Sequence, residues 1–142
     1  ADPCLVTLGA QRILITHGDA LCTDDVDYQR FRTQVRDPHW QSQFLAQPLA
    51  QRHAIIADLR ARSEDRKARA PQAIMDVNPQ AVDAWFASHG VDQIVHGHTH
   101  RPGMHHTPRG TRWVLPDWEF DDGPQRGGGV FIDAEGIQPF DA

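Results

Sequence analysis

The stretch IVHGHTHRPG, Ile94 to Gly103, carries three histidines at alternate positions, His96, His98 and His100. Neutral imidazole is the commonest protein ligand for first-row transition metals, and it is also the side chain that titrates nearest neutral pH. Apolar Ile94 and Val95 lead in and Pro102-Gly103 closes the run, the pattern of a buried strand breaking into a loop. Loops at the carboxyl ends of strands are where open α/β sheets bind ligands. In an extended segment residues i and i+2 point to the same side, so His98 and His100 are expected to face one site. His96 shares their parity but follows Val95 directly, and is read as packing or as support for the other two. The residues alone leave open whether the imidazoles hold a metal, titrate, or pack.

A second stretch repeats this grammar. In LITHGD, Leu14 to Asp19, an apolar β-branched run ends at His17-Gly18-Asp19. Gly18 allows the backbone to approach a bound group closely. Taken alone, His17 is a structural histidine more often than a ligand. Beside GHTH on another strand end it makes a third imidazole, enough for most of a metal sphere. His39, His53, His89, His105 and His106 have no partner at a telling spacing and read as surface or capping residues.

The elements that must position these groups follow from periodicity and breakers. Cys4–Leu8 and Arg12–Thr16 read as a hairpin or two adjacent strands. A helix is expected from about Asp25 to Arg36, capped by Asp24 and stopped at Asp37-Pro38. A short helix over His39–Ala46 ends at Pro48, and a longer one covers Leu49–Ala70. After a connector over Ala73–Asn78, Pro79 opens a helix over Gln80–His89 that Gly90 closes. Asp76 in the connector supports a histidine ligand or stabilises a turn. Val91–Val95, Thr111–Leu115, Gly128–Asp133 and Ile137–Phe140 read as short strands, with Trp113 and Trp118 packing the sheet. Gly127-Gly128-Gly129 is taken as a flexible turn. Strands, a helical excursion, one helix and more strands make a mixed α/β chain.

The 142 residues suit one domain with a moderate core, and 39% hydrophobic with 23% charged residues is an ordinary globular balance. A net charge of -5 and a pI near 5.9 argue against a nucleic-acid partner. No apolar run approaches the roughly 18 residues of a membrane span, and no signal-peptide pattern opens the chain. Cys4 and Cys22 stand in no CxxC spacing and read as reduced thiols of a cytosolic protein. The first methionine is Met75, so the chain is read as processed or as the latter part of something longer.

Two features keep alternatives. In the Leu49–Ala70 helix, Arg52, Arg60, Arg62, Arg66, Lys67 and Arg69 outnumber Asp58, Glu64 and Asp65. That is a solvated face with i,i+4 pairs, or, since Ser63, Arg66 and Lys67 share one face, a surface for phosphate oxygens. Phe31, Trp40, Phe44, Leu45, Leu49, Ile55 and Ile56 pack a core among the helices or form a greasy lid.

THGDALCTDD, the helical insertion, AIMDVN and HGHTHRP, in this order over about Cys4 to Trp118, resemble the calcineurin-like metallophosphoesterases. Within that family they are similar to the branch that cleaves UDP-2,3-diacylglucosamine in lipid A assembly. The resemblance implies the latter part of a metallophosphoesterase α/β sandwich, residues 1–142, with a helical lid inserted at about 24–70. It implies hydrolysis of the substrate pyrophosphate to UMP and 2,3-diacylglucosamine 1-phosphate. His17, His98 and His100 become ligands of a two-manganese site, and Asp25, Ser63 and His98 contacts to the nucleotide-sugar lipid. Lys67 falls where the family has a further polar contact, with Arg66 beside it; Ala70 departs from the family, which has lysine there. Manganese comes from the resemblance, because imidazole suits Mn²⁺, Zn²⁺ and Ni²⁺ alike. The family's Asp-x-His, Gly-Asp and Gly-Asn-His-Asp segments, which supply the other ligands, precede the matched residues. The chain alone is therefore expected to hold less than half the ligand set and to be inactive. A cytoplasmic protein, peripheral on the inner membrane of a Gram-negative bacterium, is implied. The rival expectations are a phosphoesterase of another substrate and a non-catalytic chain that binds a divalent ion.

Overall fold

Burial along Gln11–Thr16 does not alternate. Ile13 and Leu14 are both fully buried and Thr16 nearly so, which is the mark of a strand covered on both faces. In the computed structural model, which describes residues 2–69, 76–121 and 123–142 (without the side chains of 64 and 66–69), this strand is β2, Gln11–Thr16. It pairs antiparallel with β1, Cys4–Leu8, and parallel with β3, Gln93–His96. β3 pairs parallel with β5, Gly110–Val114, and β5 antiparallel with β4, Gly103–Thr107. The sheet order is β1-β2-β3-β5-β4, and β6, Gly128–Asp133, forms a separate antiparallel ribbon with β7, Gly136–Asp141.

Contacts divide the chain into two compact units, residues 1–21 with 77–142, and residues 22–76. In the first unit helix α4, Pro79–His89, lies on the sheet through Val82 and Phe86, one turn apart, against Leu14, Leu21, Val91 and Ile94. Both its ends are satisfied. The Asn78 side chain accepts from the Ala81 N–H, Pro79 occupies the first turn, and Gly90 closes the helix at φ 59°. The Arg12 guanidinium donates to the carbonyls of His89 and Gly90 at that carboxyl end, where a cation is favoured.

Among the described residues the second unit has three helices, here α1, Val26–Arg36, α2, Pro38–Ala46, and α3, Leu49–Arg69. Asp37 ends α1 and also caps α2, its carboxylate accepting from the Trp40 N–H at 2.8 Å. Trp40 and Phe44, a turn apart, stack at 5.2 Å. Among the described residues neither α1 nor α2 buries a side chain, and no helix is long and apolar enough to cross a membrane. Asp58 and Arg62 pair at 2.9 Å on a solvated face of α3.

Several expectations are corrected. The α1 cap is Asp25, whose carboxylate accepts from the Tyr28 N–H at 3.0 Å; the helix starts one residue later than expected, which moves the cap from Asp24. Strand β3 runs on to His96, because its register with β5 continues to the His96–Val114 pair. β4 was not anticipated. Pro102-Gly103 signals a break, and Met-His-His-Thr has no alternation, because β4 is a solvent-facing edge strand held by β5 alone. Trp118 is 62% exposed and does not pack the sheet; its indole N–H donates to the Gly128 carbonyl at 3.0 Å and its ring leans on Phe120. Gly127-Gly128-Gly129 is no slack turn either. Gly128 begins β6 at φ 149°, and a Cβ there would stand 2.4 Å from the Phe140 carbonyl oxygen, which β-pairing holds in place. Gly128→Ala is therefore expected to destabilise the first unit by about 1–3 kcal/mol, read as a lower denaturation midpoint at unchanged slope.

Candidate metal centre

Thr16 and His96 are opposite each other in the parallel register of β2 and β3. The two chains therefore leave the sheet side by side, and the Gly97 N–H donates to the His17 carbonyl at 3.2 Å. Beyond this link the His17 and His98 rings meet with centroids 5.0 Å apart and planes tilted by 54°. The carboxylate of buried Asp19 lies 3.2 Å from His17 Nδ1 and leaves Nε2 for other partners. A carboxylate behind an imidazole is the common way to fix a ligating ring and raise its basicity. On the other flank Asp2 Oδ1 accepts from the His17 N–H and the Thr16 hydroxyl.

His98 and His100 both have positive φ, 67° and 52°. Left-handed backbone at a non-glycine residue costs on the order of 1–3 kcal/mol and is concentrated where geometry serves function. It also overturns the extended geometry expected for this pair. With the backbone left-handed, i and i+2 do not share a side: His98 turns to His17, whereas His100 Nδ1 lies 3.7 Å from Asp117. Among the described residues no three His, Cys, Asp or Glu side chains converge as a ready metal cage. The structure thus brings two of the three expected ligands together and holds the third apart.

Asp117 is itself held by Arg126, whose Nε lies 3.0 Å from both carboxylate oxygens and whose Nη2 lies 2.6 Å from Oδ2. That donation keeps the Asp117 carboxyl below the usual carboxylate range, despite some desolvation, and raises Arg126 in turn. His100, Asp117 and Arg126 line a cleft of about 470 Å³ whose walls include Trp113, Val130 and Phe140. Asp19 was within reach of the sequence, since it stands two residues from His17 at a strand end. Asp117 and Arg126 were not, being joined only by the loop that the isolated bridge between Glu119 and Arg126 closes.

Apart from His98, the expected substrate contacts belong to the helical unit. Asp25 is buried and caps α1, and Ser63 is half-buried on α3. The side chains of Arg66 and Lys67, and Ala70 altogether, lie outside the described residues.

Strands that end in histidine-bearing loops, with a helix behind the sheet, define the class of protein. The calcineurin-like phosphoesterase family model matches residues 2–102, and the chain belongs to that family. It is 47% identical, over 99% of its length, to the UDP-2,3-diacylglucosamine hydrolase of Bordetella pertussis, of which it covers 56%. Similarity to the enzymes of the same name from Chromobacterium violaceum (47% identity over 96% of this chain and 56% of the relative) and Aromatoleum aromaticum (50% over 87% and 51%) is comparable. The chain spans about half the length of these curated relatives.

The Asp117–Arg126 pair yields a pH prediction. A carboxylate depressed by its partner adds stability above the unfolded value of about 3.9 and loses it as pH falls through the lower folded value. Arg126→Gln should move the Asp117 titration, followed by carboxyl ¹³C NMR, up toward the ordinary range. An unmoved midpoint would contradict the pairing.

Proposed function

We propose that this chain is part of a metal-dependent hydrolase that cleaves the pyrophosphate bond of UDP-2,3-diacylglucosamine, giving UMP and 2,3-diacylglucosamine 1-phosphate. The observation that carries the reading is the meeting of His17 and His98 at the ends of adjacent parallel strands, with Asp19 behind one ring. Two imidazoles tilted toward each other from neighbouring loops, His98 on left-handed backbone, suit a shared first-row divalent ion, and we assign Mn²⁺ to it. His100, held apart beside Asp117, is assigned to a second ion. Such ions, when bound, supply charge neutralisation of the pyrophosphate and a lowered water pKa.

This chain's residues do the remaining work. His17 and His98 fix the reacting end, and His98 also contacts substrate. Asp25 and Ser63, with Lys67 and Arg66, orient the nucleotide and its phosphates through hydroxyl and charge-assisted hydrogen bonds. The helical unit acts as a lid for acyl chains and meets the cytoplasmic face of the inner membrane. What supports this is its apolar exposure: Leu45 is 63% and Leu49 60% exposed, and Phe31 and Ile55 also reach solvent. Apolar side chains on an amphipathic surface let a protein touch lipid without spanning it.

The assay is UMP release with Mn²⁺, on this chain and on one lengthened at its amino end to the size of its relatives. Turnover is expected in the lengthened chain, and His98→Ala should lower it on the order of a hundredfold. If neither chain turns over although both bind Mn²⁺, the lipid substrate is wrong. Leu45→Gln with Leu49→Gln should slow the diacylated substrate several-fold more than a short, water-soluble pyrophosphate. Equal loss on both would remove the lid assignment.

A further inference from the structure

His96 is completely buried, unlike His17 and His100. Its ring nitrogens face opposite kinds of partner. Nδ1 lies 2.8 Å from the Gly97 carbonyl oxygen, which only accepts, and Nε2 lies 2.9 Å from Arg112 Nη1, which only donates. Nδ1 therefore carries the hydrogen and Nε2 the lone pair. Arg112 reaches the ring from β5, where it stands opposite Ile94, two residues before His96 and on the same face of the sheet. The other histidine loop closes on this ring. Gly18, at φ 102°, packs so tightly that a Cβ there would fall 2.6 Å from His96 Nδ1 and 3.1 Å from the Gly97 oxygen. The same Gly97 donates its N–H to the His17 carbonyl. One imidazole thus touches both loops, His17-Gly18 through van der Waals contact and Gly97-His98 through a hydrogen bond.

We propose that His96, fixed by Arg112 in the neutral Nδ1–H tautomer, is a positioning residue that sets the placement of His17 relative to His98. The opposite tautomer would set N–H against N–H at Arg112 and lone pair against lone pair at Gly97. Either conflict would push the ring off Gly97 and loosen the seam between the loops. The consequence for metal binding rests on the reading of His17 and His98 as ligands; the tautomer and the seam do not.

Three measurements on this chain test the proposal. In a ¹⁵N-histidine sample without metal, at neutral pH, long-range ¹H–¹⁵N correlation should show His96 as the Nδ1–H tautomer, and an Nε2–H ring overturns the proposal. Mn²⁺ titration calorimetry then compares the wild-type chain with His96→Leu, His96→Asn and Arg112→Met. Leu removes both hydrogen bonds and should weaken Mn²⁺ binding about 10–100-fold. Asn retains a donor near the Nδ1 position and should recover most of that loss, a rescue that a merely space-filling role would not give. Should His96→Leu fail to fold by circular dichroism, Arg112→Met and Gly18→Ala carry the comparison. Folded variants that bind Mn²⁺ within about twofold of wild type would overturn the proposal, twofold being well inside the usual effect of an outer-shell change. If the wild-type chain binds no Mn²⁺, the ligand reading falls, and the seam is judged on hydrogen exchange of the Gly97 amide. Its protection should be lost in the Leu variant and kept in the Asn variant; equal protection in both overturns the proposal.

Discussion

The parallel register of β2 on β3 is the constraint on which the site depends. Because Thr16 stands opposite His96, the chain emerges from the sheet at two neighbouring points, and the residues that follow, His17 and Gly97, are hydrogen-bonded at once. A slip of one residue would turn every side chain of a strand to the other face. That slip is opposed by burial on both faces of β2, with Leu14 packed beneath α4 and Ile13 fully buried on the other side. The hydrophobic run that looks like simple core formation is therefore also the device that sets two imidazoles 5.0 Å apart.

Against this rigid base the loops are held in costly shapes. His98 and His100 take left-handed backbone, and Gly18 takes a conformation and a closeness that a side chain would not allow. Such features persist only where the surroundings over-determine them. Here Asp2, Asp19 and His96 engage the His17 segment, His96 holds the Gly97 carbonyl, and Arg112 anchors His96 from a third strand. His96 and Arg112 in this seam are polar and buried, so each needs a partner of the right sense. His100 stands outside, tied to the Asp117–Arg126 pair on the way to the second sheet.

Much of this was legible in the sequence where local rules and tertiary packing agree. Helix α4 reads directly from Asn78, Pro79 and Gly90 around an apolar face, and the strands at β2, β5 and β6 follow from β-branched runs. The histidines at two strand ends gave the candidate centre, and the motif order around them gave the family. What failed were features fixed by distant partners. β4 exists only because β5 pairs with it, Trp118 is turned outward by a bond to Gly128, and Arg126 reaches Asp117 across a loop. The divergence of His98 and His100 was hidden for a local reason, since i,i+2 parity holds only in extended backbone and these two residues are left-handed.

The central claim is that His17 and His98 serve one ion, and a double-mutant cycle on Mn²⁺ affinity tests it most directly. Each of His17→Ala and His98→Ala should weaken binding, and the double substitution should cost clearly less than the sum, because the first loss already dismantles the shared site; coupling on the order of 1 kcal/mol or more is expected. Losses that simply add would mean that the two rings act on separate partners, and the account of the centre would be wrong.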